Sequence, residues 1–448
     1  MALTDGGKTC GKHRLIVCAL IFAVALCTAI RTHAYSVLSH EAIVDSAWDV
    51  AIKPLLLKRF PKSTPEELKE AHSYAYGGCV IQDMGYYPFG SKLFSDLLHY
   101  VRVGDFVEAL IRDSQTLDEY AFALGALAHY ASDNNGHPVA VNRAVPLTYP
   151  KLERKYGHEV TYEENPAAHL KTEFGFDVLQ VATGRYASDD YRDRIGFQVS
   201  KDLLARAFQE TYGIELKSIF TNYDLAVGTY RHSVSSVIPS MTKAAWQLKK
   251  DDIQKEEPGI TKQKFLFHLS HASYKKYWNE KYEKPGIGSR ILAFLIRLLP
   301  KVGPLRALAF RMPTPATEKL FMASFNDSLT HYEHFLHEEK ETGHVTLVND
   351  NLDTGTITPP GQYALADKAY ATLLEKLAKN HFAMVTPDLR KNILDYYSDP
   401  NAPIAMKRKK KKEWAKVVQD LAALKAYEPT ATPTPNIPAP AAAASQPQ

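Results

Sequence analysis

The sequence predicts an all-α protein, a helical bundle with a cleft between helices, followed by a helical C-terminal extension. Three observations predict this fold class. Apolar residues recur at helical spacing in one segment after another, and sustained period-two strand patterns are absent. Between those segments, side chains able to bind metal fall where helix faces and helix breaks can gather them.

The elements follow in order. Lys8, Lys12 and Arg14 precede the apolar run Leu15 to Ile30, and Thr32-His33-Ala34 supplies small residues for cleavage. Residues 1–34 therefore read as a signal peptide cut after Ala34, because the run is short for a membrane span and is followed by a cleavage site. An uncleaved anchor is the competing reading. Ser39–Leu57 carries Ile43, Ala47, Trp48, Ala51 and Leu55 at helical spacing. Ser63-Thr64-Pro65-Glu66-Glu67 combines a hydroxyl cap with proline in the first turn, a helix start. Helical patterns continue over Phe94–Val101, Asp105–Ile111, Asp118–Ala131, Ala167–Val181, Asp202–Thr211 and Ser233–Leu248. Gly85-Tyr86-Tyr87-Pro88-Phe89-Gly90 and Asn134-Asn135-Gly136 are expected to interrupt the helices.

Polar Asp251–Lys264, with Glu257-Pro258-Gly259, marks a boundary between residues 35–250 and a helical extension at 251–427. Ile287–Phe310 is apolar but broken by Pro300 and Pro304, so it reads as buried packing or as an interfacial segment. Helices are expected at Pro315–Glu338, Gln362–Asn380 and Lys412–Ala426. Residues 428–448, rich in proline and alanine, cannot bury a core and form a disordered tail.

The full chain holds 54 Lys+Arg against 50 Asp+Glu, a formal charge of +4. Losing Lys8, Lys12, Arg14, Arg31 and Asp5 with the signal peptide leaves 50 against 49, about +1. That balance gives no global field for nucleic acid. The local run Lys407-Arg408-Lys409-Lys410-Lys411-Lys412 is either a solvated tail or a contact for an anionic membrane surface. After cleavage Cys79 stands alone, so no intramolecular disulfide is available.

The chemistry lies in His40, Asp83, His99, His129, Asp133, His137, His169 and Glu173. His129-xxx-Asp133-xxx-His137 and His169-xxx-Glu173 place donors four apart, on one helical face. Imidazole and carboxylate suit Zn²⁺, and eight donors exceed the needs of one ion. A free α-amine at Tyr35, exposed by cleavage, is a further candidate donor, its alternative being a disordered end. Several histidines read more plainly. His72 has no partner at ligand spacing, His158 competes with His169 but lacks an acid four residues on, and His331, His334 and His337 share one helical face.

The run Gly125 to Pro138, the segment Val80 to Pro88 and Ser39-His40 together resemble the zinc-dependent phospholipase C/D family. That family includes bacterial phospholipases C, the N-terminal domain of glycosylphosphatidylinositol-specific phospholipase D and, more distantly, single-strand-specific zinc nucleases. The resemblance covers about Tyr35 to Tyr186 and extends at most to Leu248. It implies a first zinc on Asp83, His99, His129 and Asp133, and a second on His137, His169 and Glu173. A third would use His40 with the Tyr35 amine and carbonyl, and Asp133 would bridge the first and third. Two departures stand out: the short Asp133-xxx-His137 spacer looks more like the phospholipase D branch, and Tyr35 occupies a place usually held by tryptophan.

The expected activity is hydrolysis of phospholipids, by zinc-activated water, by a secreted or periplasmic enzyme holding two or three zinc ions. Closely spaced zincs can neutralise phosphoryl oxygens and lower the pKa of water, and Asp83 is the candidate to orient or deprotonate that water. The alternatives are a secreted single-strand-specific zinc nuclease and a non-catalytic zinc-stabilised envelope protein. A nuclease would need stacking platforms beside the zincs, for which Tyr86, Tyr87 and Phe89 are the candidates.

Overall fold

A computed structural model of the chain describes residues 37–186, 189–256, 258, 307–399 and 411–429. Expectations for the signal peptide, Tyr35, residues 287–306, most of the 407–412 cationic run and the tail from 430 lie outside the described residues. Within them the regular structure is helical, with no strand and only one isolated bridge, Asn351 to Thr356, in the irregular stretch 343–363.

The first helix, α1 (Val37–Ala47), passes through a wide π turn (Trp48–Ile52) into α2 (Lys53–Arg59). Next comes α3 (Pro65–Gly78), started as the sequence predicts. Glu67 N donates to Thr64 Oγ1 at 3.2 Å, Thr64 N donates to Glu67 Oε2 at 2.7 Å, and Pro65 fills the first turn. A 3₁₀ turn (Ile81–Tyr86) leads to α4 (Lys92–Tyr100) and α5 (Val103–Asp113). The central helix is α6 (Leu117–Asn135), with every residue from Tyr120 to Asp133 buried. A helix apolar on all sides belongs in the middle of a bundle.

Helix α6 ends at Asn135, inside the expected interruption Asn134-Asn135-Gly136, but the chain does not leave the helical path there. The helical path continues as a π turn (Gly136–Val141) into α7 (Asn142–Thr148). Pro138 supplies the reason: proline has no N–H for the Asn134 carbonyl and its ring would crowd that oxygen, which a wider turn relieves. The other two π turns, Trp48–Ile52 and Ser233–Val237, likewise lie just before Pro54 and Pro239.

After α7 come α8 (Pro150–Tyr156), α9 (Pro166–Thr183), α10 (Asp189–Ile195), α11 (Lys201–Tyr212), α12 (Tyr223–His232) and α13 (Ile238–Glu256). The C-terminal part contributes α14 (Pro315–Thr342), α15 (Ala364–Lys379), α16 (Pro387–Tyr396) and α17 (Lys411–Ala426). One apolar core takes in residues from Val37 to Val234 and again from Tyr332 to Leu424. The long helix α14 lies directly on α6, where Tyr332 Oη donates to Leu124 O at 2.9 Å and Tyr120 Oη donates to Glu339 Oε1 at 2.9 Å.

Helices α3 and α6 cross closely because glycine faces backbone on both sides. A Cβ on Gly125 would stand 2.1 Å from Ala75 O, and one on Gly78 would stand 2.0 Å from Phe122 O. Neither carbonyl can swing away without breaking its own helix. Gly125→Ala is therefore expected to cost about 3 kcal/mol, at the upper end of overpacking effects. A melting curve within about 2 °C of the parent protein's would refute this.

Candidate metal centre

The donors ride on four helices, one 3₁₀ turn and one π turn. His40 sits in the first turn of α1, which is pinned to α9 by polar contacts on its neighbour: Ser39 Oγ donates to Asp177 Oδ1 at 2.9 Å and lies 2.8 Å from Tyr186 Oη. Asp83 lies on the 3₁₀ turn, whose Gln82 Nε2 donates to Ala126 O of α6 at 3.0 Å. His99 closes α4, His129 and Asp133 occupy successive turns of α6, and His137 follows on the π turn. His169 and Glu173 occupy successive turns of α9. All eight side chains are buried.

The distances between donors are informative. His129 Nε2 is 3.1 Å and His99 Nε2 3.5 Å from Asp133 Oδ2, while His40 Nε2 is 3.4 Å from Asp133 Oδ1. His99 Nε2 is also 3.4 Å from Asp83 Oδ1 and 3.4 Å from His129 Nε2. Ligands at tetrahedral angles around zinc, with bonds near 2.1 Å, stand roughly 3.4 Å apart. Most charge-assisted hydrogen bonds would be shorter, about 2.8 Å. The set has the spacing of a coordination shell. Asp133 divides its oxygens, one toward His40 and the other toward His129 and His99, which is the disposition of a bridging carboxylate.

Backbone contacts fix which nitrogen faces the centre. His99 Nδ1 lies 2.8 Å from Ser95 O and His129 Nδ1 lies 3.0 Å from Cys79 O, so each donates there and turns its Nε2 lone pair inward. Cys79 serves through its carbonyl; its thiol, 3.3 Å from Tyr76 O, is pushed up in pKa by burial. Both Asp133 oxygens and Asp83 Oδ1 are buried with no hydrogen-bond donor.

A second group lies alongside. His169 Nε2 donates to Val160 O at 2.5 Å, which leaves Nδ1 facing Glu173 Oε1 at 3.7 Å. Donor atoms of His137, His169 and Asp353 lie within 4.8 Å of one another. His137 Nδ1 is 2.9 Å from Asp353 Oδ1, and its Nε2 is 4.0 Å from Asp133 Oδ2, so the ring stands between the two groups. Sequence reasoning missed Asp353. It comes 353 − 173 = 180 residues after Glu173, in a turn with no histidine at ligand spacing. The only hint is the run Asn349-Asp350-Asn351-Leu352-Asp353, unusually rich in carboxylate and amide for its surroundings.

The electrostatics call for a cation. Four carboxylates, Asp83, Asp133, Glu173 and Asp353, are buried in this small volume. Burial drives Glu173 well above the usual carboxylate range, reinforced by Asp83, Asp133 and Asp353. Burial also raises Asp83 and lowers His169 to about 4. Against its own burial, Asp133 is held well below the ordinary value by His129, His99 and His40. Burial opposes charge on His99 too, but the neighbouring carboxylates of Asp133 and Asp83 lift it to about 10. A site that strains its acids and bases this far without solvent is relieved by metal ions, which bind imidazole and carboxylate together. All-nitrogen-and-oxygen donors at these spacings fit zinc.

The remaining histidines are elsewhere. His72 stacks on Trp48 with ring centroids 3.8 Å apart and lies 3.2 Å from Asp45 Oδ1, a packed core residue. His158 is exposed beside Glu153, away from the centre. His331, His334 and His337 are exposed on α14. Tyr86 and Tyr87 are buried, the latter edge-on to Tyr230, whereas Phe89 is exposed at a left-handed φ of 64°.

A search among curated proteins and solved structures finds no match to this chain. A family model does match, over residues 39–222, a span that contains all eight buried donors and excludes Asp353. By that match the segment bearing the donors is similar to the zinc dependent phospholipase C family.

Proposed function

We propose that the protein is a phosphodiesterase that hydrolyses phospholipids at the bond between glycerol and phosphate, with zinc-activated water as nucleophile. The observation that carries this reading is the division of Asp133 between two donor groups, because a bridging carboxylate brings ions close enough to share one phosphate. Asp83, His99, His129 and Asp133 would hold one ion, His137, His169 and Glu173 a second, and His40 a third with Asp133 and Tyr35. Zinc at these positions supplies Lewis acidity toward phosphoryl oxygens and lowers the pKa of water.

The chain's own residues do the rest. Ser95 and Cys79 carbonyls keep His99 and His129 in the tautomer that points Nε2 inward. Asp83 Oδ1, buried and without a donor, is the oxygen placed to orient water or accept its proton. Tyr86 and Tyr87 are buried, which leaves Phe89 as the one exposed residue of the three stacking candidates and weakens the nuclease reading. Export rests on the Leu15–Ile30 run and the Ala34 cleavage position.

The test is product analysis on zinc-loaded protein carrying its natural mature N-terminus, with phosphatidylcholine vesicles and single-stranded DNA offered separately. Diacylglycerol and phosphocholine are the expected products. Free choline with phosphatidic acid would move the cut to the other side of the phosphate, and cleavage of DNA alone would overturn the reading.

A further inference from the structure

We propose that Asp353, carried by the C-terminal part of the chain, is a ligand of the second metal position together with His137 and His169, so that residues 345–363 form a metal-fastened strap across the centre. The inference rests on the metal-site reading above and adds a residue from outside the family-matched span.

The carboxylate of Asp353 is oriented as a ligand would be. Its Oδ2 is saturated by two donors, Tyr162 N at 3.0 Å and Tyr363 Oη at 2.8 Å. The other oxygen, Oδ1, faces His137 Nδ1 at 2.9 Å, yet both atoms are buried and neither makes an aligned hydrogen bond. A cation shared with His169 would engage both atoms at once. His169 contributes the remaining donor within 4.8 Å, and its orphaned Nδ1 is available because Nε2 is committed to Val160 O.

The strap is built to deliver that oxygen. Asn142 Nδ2 donates to Asp353 O at 2.7 Å, and Leu352 N donates to the carbonyl of His99 at 3.0 Å. Asn351 Oδ1 accepts from Asp353 N at 3.0 Å, shaping the turn. Gly355 passes so close to α6 that a Cβ there would lie 2.8 Å from Asn134 O, at a φ of +67° that favours glycine. The strap thereby touches the backbone beside His99 and beside His137 as well as the donor atoms.

Asp353→Asn keeps the size and the acceptor oxygen but removes the charge. Zinc per chain, measured by mass spectrometry of metals after desalting, should fall by one, with the affinity of that site down at least ~100-fold in chelator competition. A retained zinc count, with affinity reduced by less than that, would overturn the ligand assignment. Hydrogen exchange on the wild-type chain is an independent check that no variant can confound. Removing zinc should raise exchange at 345–356 at least tenfold while α16 stays unchanged, and unaltered protection there would overturn the strap. Both readouts follow metal rather than turnover. A wild-type chain that binds zinc without cleaving lipid would refute the proposed activity and leave this inference intact.

Discussion

Asp133→Asn is expected to lower phosphatidylcholine turnover on the order of 10³-fold or more and to deplete the protein of bound zinc. The magnitude follows from what one side chain does. Its two oxygens face His40 at 3.4 Å and His129 at 3.1 Å, so one substitution weakens both groups. Metal ions contribute several kcal/mol to phosphoryl transfer, and each 1.36 kcal/mol is tenfold in rate. Asparagine retains the size of the side chain and one carbonyl oxygen but carries no charge. It would leave His99, His129 and His40 around a neutral amide, a poorer bridge for two cations. The fold should survive, because the helix that carries the residue is buried along its length by apolar neighbours. A variant with unchanged far-ultraviolet dichroism, reduced zinc and lost turnover fits the assignment. Retained zinc with turnover within tenfold of the parent would show that Asp133 does not bridge.

How much of this was legible in the sequence depends on the range of each signal. The caps of α3 and α14 are local chemistry, Thr64 with Pro65 and Thr314 with Pro315, and local chemistry is readable. The donors on α6 and α9 are readable for the same reason, since four-residue spacing puts them on one face before anything else folds. His169 could be preferred over His158 because Glu173 follows it by four, and the structure buries the first and exposes the second. Two things escaped. Asn134-Asn135-Gly136 has the composition of a break, but burial of α6 and α14 around it outweighs local preference, and Pro138 converts the path to a π turn. Asp353 escaped altogether, because its position arises from where residues 345–363 cross the bundle, and no spacing within that stretch encodes a partner, His137, that lies 353 − 137 = 216 residues earlier in the chain. The boundary placed near residue 250 likewise marks a change in composition, while the apolar core draws on both sides of it.

Chelation should then destabilise the whole bundle, by about 10 °C in melting temperature or more. Helices α1, α4, α6 and α9 and the strap at 345–363 each bring at least one donor to the centre. Four buried carboxylates meet there, and without a cation their mutual repulsion is offset only by imidazoles whose own burial resists protonation, as at His40 and His169. An ion held at a thousand times its dissociation constant adds about 4 kcal/mol, and 1 kcal/mol moves the midpoint of a large domain by about 2–4 °C. The effect has a sign in pH. Donors must be deprotonated to bind metal, so the gap between zinc-loaded and chelated melting curves should narrow as pH falls from 7 to 5. Scanning calorimetry with and without a chelator, followed by zinc add-back, measures it. Metal-free protein that melts within about 2 °C of the loaded form would mean that the donors are already satisfied by one another. The zinc-like spacing of the His129, Asp133 and His99 contacts would then need another cause.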